Sequence, residues 1–259
     1  MKKITTALCL TLFVFFSSCE KDNEFTKSIF EDEPEEAAAF DRWLKANYLE
    51  SYNLAFRYRM QDVGSDLEYN LVPASYEKSK QIAILIKYLW FDAYGEVVNP
   101  DFLKEYGPRV IHLIGSGAYN PRNGTVKLGT AEGGVKVTLF SCNDMDPNNM
   151  KQLNEYCFKT MHHEFAHILH QQRTYPKVYE TFSAGHYDPS YWQERSIEQA
   201  ASLGFVSPYG SSQPREDFVE VIANYIVKTQ EDWDSILDMA AHEWTKKLDK
   251  DGNPELKPN

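Results

Sequence analysis

His163-Glu164-Phe165-Ala166-His167 is an H-E-x-x-H run. If it is helical, residues four apart differ by about 40° in direction and one turn in height. Both imidazoles then face one point. That spacing suits two nitrogens at roughly 2.1 Å from a single Zn²⁺. Glu164, next to the first histidine, is placed to act on a water held by the metal, as a general base. His163 and His167 are therefore candidate metal ligands and Glu164 a candidate catalytic residue.

The neighbours of the run agree with a half-buried helix. Phe165, Ile168 and Leu169 supply apolar sides. His170 lies seven residues beyond His163, on the same face but about 10 Å along an unbroken helix. One zinc cannot easily take all three. The metzincin pattern H-E-x-x-H-x-x-G-x-x-H fails, with His170 in the Gly place and Arg173 in the final His place. His170 is expected behind a ligand or at the surface.

A third ligand is expected from another helix. In Tyr209-Gly-Ser-Ser-Gln-Pro-Arg-Glu-Asp-Phe-Val-Glu220, Pro214 opens a helix on which Glu216 and Glu220 share a face. Val219, Val221, Ile222 and Ile226 supply packing. Carboxylates on an apolar helix need a partner, and zinc is one. A solvated pair of glutamates is the plainer alternative, and Glu198 is a second candidate ligand.

The pairing of HEFAH with Y-G-x-x-x-x-x-E-x-F-x-E resembles the gluzincin proteases of the lethal-factor type. The resemblance implies Glu216 as the third zinc ligand and Tyr209 as the group facing the reacting oxygen. It implies Glu220 as a carboxylate that orients a histidine. Together with the N-terminus, the chain looks similar to the zinc-binding metallopeptidase lipoproteins associated with outer-membrane nutrient import. These motifs cover about residues 160–225 and the lipoprotein start. The implied fold is α+β and zincin-like: a small mixed sheet with an active-site helix, followed by a helical C-terminal part.

Met1–Cys19 reads MKKITTALCLTLFVFFSSC. Lys2 and Lys3 precede an apolar stretch too short for a membrane span of about 20 residues. The layout is that of a secretory signal, residues 1–18. Ser17-Ser18-Cys19 resembles a bacterial lipobox, with Cys19 lipidated, although Phe16 stands where an aliphatic residue is usual. Residues 19–36 carry eight acidic residues and two lysines and read as a solvated tether. An acidic run directly after the lipidated Cys resembles an export signal to the outer face of the outer membrane. Residues 37–259 are then one catalytic domain.

Lys plus Arg is 27 against 38 Asp plus Glu, a net charge of −11 over 259 residues. Without a basic patch this excludes nucleic acid as the main partner. Hydrophobic residues at 42% exclude a wholly disordered chain. The expected partners are a peptide or protein substrate, the outer membrane through the lipid anchor, and nutrient-import proteins. The expected activity is zinc-dependent peptide hydrolysis. The alternatives are a catalytically silent accessory lipoprotein on the same scaffold, or a zinc hydrolase of non-peptide substrates.

Elsewhere, strands mix with helices first and helices alone come after. Helices are expected over 37–50, 75–94 and 101–106, strands over 54–60, 110–114, 125–128 and 135–140. The last two strands would be joined by a turn at Gly133–Gly134. Val135–Phe140 is either the sheet's edge, available to substrate backbone, or an internal strand. Asp146 and Pro147 mark a helix start. A polar and aromatic connection runs to Tyr191, and helices over 196–203, 214–228 and 231–248 complete the chain. Asp249–Asn253 fails as a calcium loop, because Pro254 stands where Gly is required. Asn123-Gly124-Thr125 reads as a hairpin turn. Cys142 and Cys157 are either bridged or two buried thiols.

Overall fold

A computed structural model describes residues 35–60, 69–120, 124–132, 135–248 and 254–258 of the chain. Two compact units divide at Ala39 and Phe40, and the sheet and every later helix belong to the second. The expected signal peptide, Cys19, the tether up to residue 34, the Gly133–Gly134 turn and the Asp249–Asn253 run lie outside the described residues.

Helix α1, Glu35–Leu44, continues through a wider turn to Tyr52 and stops where Asn53 adopts a left-handed φ of 52°. Strand β1, Ala55–Arg57, comes next. The Ser75 side chain accepts from Lys78 N and so caps α2, Tyr76–Ile86, which winds on through Lys87–Asp92 to Val97. Then come α3 (Phe102–Tyr106), β2 (Val110–Leu113), β3 (Ala118–Tyr119), β4 (Val126–Lys127), β5 (Gly129–Glu132) and β6 (Lys136–Leu139).

The main sheet has the order β1-β2-β6-β5. β1, β2 and β6 run parallel, and β5 is antiparallel to β6. This is the expected small mixed sheet, with two corrections. Residues 125–128 are not the partner of β6; β4 pairs with β3 instead, around Gly124 with φ +71°. The strand that pairs with β6 is Gly129–Glu132, four residues whose glycine start and short length hide them from a pattern search. β6 is therefore internal, and the edges are β5 and β1.

A further correction, outside the sheet, concerns Asp146. Its carboxylate accepts from Asn148 N, making a local turn, and Asn149 caps Gln152 N instead. The helix then starts at α4, Met150–Leu153, and runs through Asn154–Phe158 into α5, Lys159–Gln172. α5 carries the H-E-x-x-H run.

The connection beyond Arg173 contains the short α6, Tyr179–Phe182. A reciprocal Ser196–Gln199 capping box opens α7, Ile197–Ser202. α8, Pro214–Val227, begins at the expected proline. α9, Gln230–Ala240, is capped by Thr229 and ends early. Residues 242–248 are not helix. They form β7, His242–Leu248, antiparallel to β8, Pro254–Pro258. The expectation of helices alone at the C-terminus fails because strand pairing with a later segment overrides local periodicity.

The core fixes where α5 sits. Trp90, Phe91, Tyr48 and Phe165 are among the largest fully buried side chains. Phe165 meets Trp90 edge-on at 5.2 Å, Tyr94 at 5.4 Å and Phe102 at 5.9 Å. Burying one such ring is worth about 1.5–3 kcal/mol, more than the roughly 1 kcal/mol of a neutral hydrogen bond. Apolar packing thus sets the rotation of α5. Ile111, Leu113, Val137 and Leu139, from β2 and β6, join Met161, Phe165 and Ile168 in one cluster. On the same helix, His162 Nδ1 accepts from Trp90 Nε1 at 3.3 Å and lies 3.0 Å from the Tyr94 hydroxyl. Burial lowers its pKa to about 4, so it stays neutral. Cys142 and Cys157 are free, buried thiols.

Candidate metal centre

α5 and α8 pack side by side and bring the three expected donors together. Glu216 Oε2 lies 3.2 Å from His163 Nε2 and 3.2 Å from His167 Nε2. Among the described residues, His163, His167 and Glu216 are the one group of three donors with metal-site spacing, all within 4.8 Å of one another. His163 and Glu216 are buried and His167 is half-buried. Pro214 at the start of α8 puts Glu216 in its first turn, where the helix dipole favours a carboxylate.

His163 is oriented from behind. Its Nδ1 lies 2.9 Å from Glu220 Oε1. Nδ1–H donating to this carboxylate leaves the Nε2 lone pair aimed at Glu216 and His167. Glu220 is itself held: Ser207 Oγ donates to Oε2 at 2.5 Å, Asn224 Nδ2 at 3.3 Å, and Lys159 Nζ lies 3.0 Å away. One turn before His163 on α5, Lys159 balances the buried charge.

The electrostatics suit a cation. Burial disfavours a charged His163, but hydrogen bonds to Glu216 and Glu220 outweigh it and raise its pKa to about 9. Burial likewise opposes a charged Glu216, yet the two histidines hold its carboxyl well below the usual range. Without a metal, the raised pKa of His163 favours a proton on its ring, shared with the carboxylates it meets. A dication there would displace that proton and meet two imidazole nitrogens and a carboxylate, the ligand set of a catalytic zinc site with a position left open. The residues fit the metal.

Glu164 is buried on α5 and lines a cavity of about 380 Å³ together with His163 and Tyr209. The Tyr209 ring stacks on His163 at 5.7 Å. Burial raises its pKa, and so do the charge of Glu216 and a hydrogen bond to it, so the phenol keeps its proton. The cavity's other side is Thr125–Gly129, leading into β5. A side chain on Gly129 would meet Thr160 Cγ2 at 2.1 Å, and Glu164 Oε1 would lie 3.6 Å from it. Only glycine lets this edge strand lie against the turn of α5 that carries Glu164.

Residues 33–258 match a family described as "Putative zinc-binding metallo-peptidase". The chain belongs to this family. A crystal structure of "a putative zinc-binding metallo-peptidase from Bacteroides caccae ATCC 43185" is 46% identical, with a TM-score of 0.68 over 82% of this chain and 81% of that one. No curated protein matches the chain. The metallo-peptidase family match spans both helices of the donor cluster and the whole sheet.

Other candidates fall elsewhere in this metallo-peptidase family member. Glu198, on α7, is not among the clustered donors. His170 is not at the surface. It stacks on Tyr175 at 4.7 Å and meets Phe218 at 5.8 Å, so it anchors the connection beyond α5 by packing. Ile226 is 47% exposed and adds nothing to the core. Reading the sequence missed Lys159, Ser207 and Asn224 around Glu220. Lys159, four residues before His163, and Asn224, four after Glu220, each shared a helix face with a motif residue; Ser207 carried no such signal. It also missed Gly129 and Trp192, whose ring meets Tyr209 at 4.8 Å.

Proposed function

We propose that this chain is a cell-envelope zinc metallopeptidase that hydrolyses peptide bonds by general-base catalysis. The observation that carries the reading is the convergence of His163, His167 and Glu216, with His163 and a buried glutamate, Glu164, lining one cavity. Zinc held by those three residues would supply a Lewis acid that acidifies a water and polarises a carbonyl. Glu164 takes the proton of the attacking water and returns it to the leaving amine. Glu220 keeps the ring of His163 in one tautomer and orientation. Tyr209 donates a hydrogen bond from its phenol to the carbonyl oxygen as negative charge develops there. β5 lies at an edge of the sheet, beside which an extended peptide would add as a further strand.

Digestion of an unbiased peptide library by the mature domain tests the activity. Cleavage is expected with zinc-replete protein and none after chelation, with recovery on adding zinc. Cleavage that survives removal of all metal would end the zinc reading.

The tyrosine role has its own test. Tyr209→Phe should keep zinc content and peptide binding while kcat falls, because the hydrogen bond strengthens only in the transition state. Unchanged kcat removes that role alone.

Envelope attachment rests on the sequence of residues 1–36. The Ser17-Ser18-Cys19 junction, which resembles a lipobox, supports anchoring through a lipid on Cys19, and the acidic tether supports display on the outer membrane near nutrient-import proteins. Cys19→Ala should move the protein from the membrane fraction to the soluble one. Retention in the membrane fraction would exclude the lipid anchor.

A further inference from the structure

Apolar surface is left in water on the wall of the cavity beside the donors. Val126 is 49% exposed and Tyr209 37%, and Trp192 is partly exposed. With Leu128, all line the same cavity. They come from two separate segments: β4 with the residue after it, and the loop and short helical turns that carry Trp192 and Tyr209. The indole is fixed by its edge-on contact with Tyr209 at 4.8 Å, which itself stacks on His163. Rigid aromatic groups exposed in a concavity lose little freedom when covered and release water as they are.

Charge does not select here. The Lys159 ammonium is already neutralised by Glu220 at 3.0 Å. Lys127 and Glu155, also on the wall, carry opposite signs. The feature that can discriminate between occupants is the apolar one.

We propose that Trp192, with Val126 and Leu128, forms a subsite that selects peptides with a bulky apolar or aromatic side chain next to the scissile bond. The choice of a peptide as occupant rests on the metallopeptidase reading; the apolar preference rests on the wall itself. Trp192 is a specificity-determining residue, reached from a segment without helical or strand periodicity.

The test is equilibrium binding, by calorimetry, of two zinc-directed probes to zinc-replete protein: the hydroxamates of phenylalanine and of alanine. They share the metal-binding group and differ by a phenyl ring. The wild type should bind the phenylalanine probe about tenfold tighter or more, the range one apolar group commands in a fitted pocket. Trp192→Ala should bring that ratio to about twofold or less, and Trp192→Phe should restore most of it. Val126→Ser, at an exposed strand position, should reduce the ratio independently and decides the matter if Trp192→Ala does not fold. A wild-type ratio near one, or an undiminished ratio in folded Trp192→Ala, overturns the proposal. So does a zinc-replete wild type that binds neither probe. Selective binding without cleavage of any peptide would remove the peptidase reading and leave the subsite standing. Cleavage indifferent to the neighbouring side chain would do the reverse.

Discussion

Glu164→Gln is expected to keep its zinc and lose peptide hydrolysis by roughly 10²–10⁴-fold, the contribution of a positioned general base. Glutamine is the same size, so the packing of α5 against Trp90 and Tyr94 is untouched. The side chain leaves the helix about 100° from that of His163. It is not one of the three clustered donors, so metal content should not change. What disappears is the ability to take a proton. Zinc content and kcat measured on the same preparation decide it. Full turnover in the variant would sink the proposed mechanism. Loss of zinc along with turnover would instead make Glu164 a structural support of the site.

Glu216→Gln should act on the metal first. Its Oε2 is the oxygen that both histidine Nε2 atoms face at 3.2 Å. Replacing it removes an anionic donor and leaves two imidazoles. Changing a group that merely orients a ligand costs roughly 10–100-fold in metal affinity, and loss of a ligand should exceed that. Titration with zinc against a competing chelator gives the number. Affinity within tenfold of the wild type would take Glu216 out of the ligand set.

The part of this site that repeats along a helix is legible in the sequence. His163 and His167 stand one turn apart, and Pro214 marks the start of the helix that brings Glu216 and Glu220 to one face. Such features are local, and helical geometry alone relates them. The parts that the sequence hides are not local. Gly129–Glu132 is a strand only because Lys136–Leu139 pairs with it. His242–Leu248 is a strand only because Pro254–Pro258 returns beside it. Ser207 matters because it reaches the Glu220 carboxylate from another segment, and nothing in its spacing announces it. Trp192 sits in a connection of short turns, where no period assigns a face. Asp146 misled for a related reason: its side chain serves a turn as readily as a cap.

The two free thiols have a practical consequence. A chain that begins after Cys19 contains no cysteines except Cys142 and Cys157, and both are fully enclosed. Burial pushes the Cys157 thiol up to about 12 and raises Cys142 as well, so neither reacts while the core is closed. Alkylation by a colourless maleimide then becomes a clock for opening of the core, run in reducing buffer and blind to the metal. Applied to each substituted protein, it separates a broken active site from a loosened fold without any need for turnover.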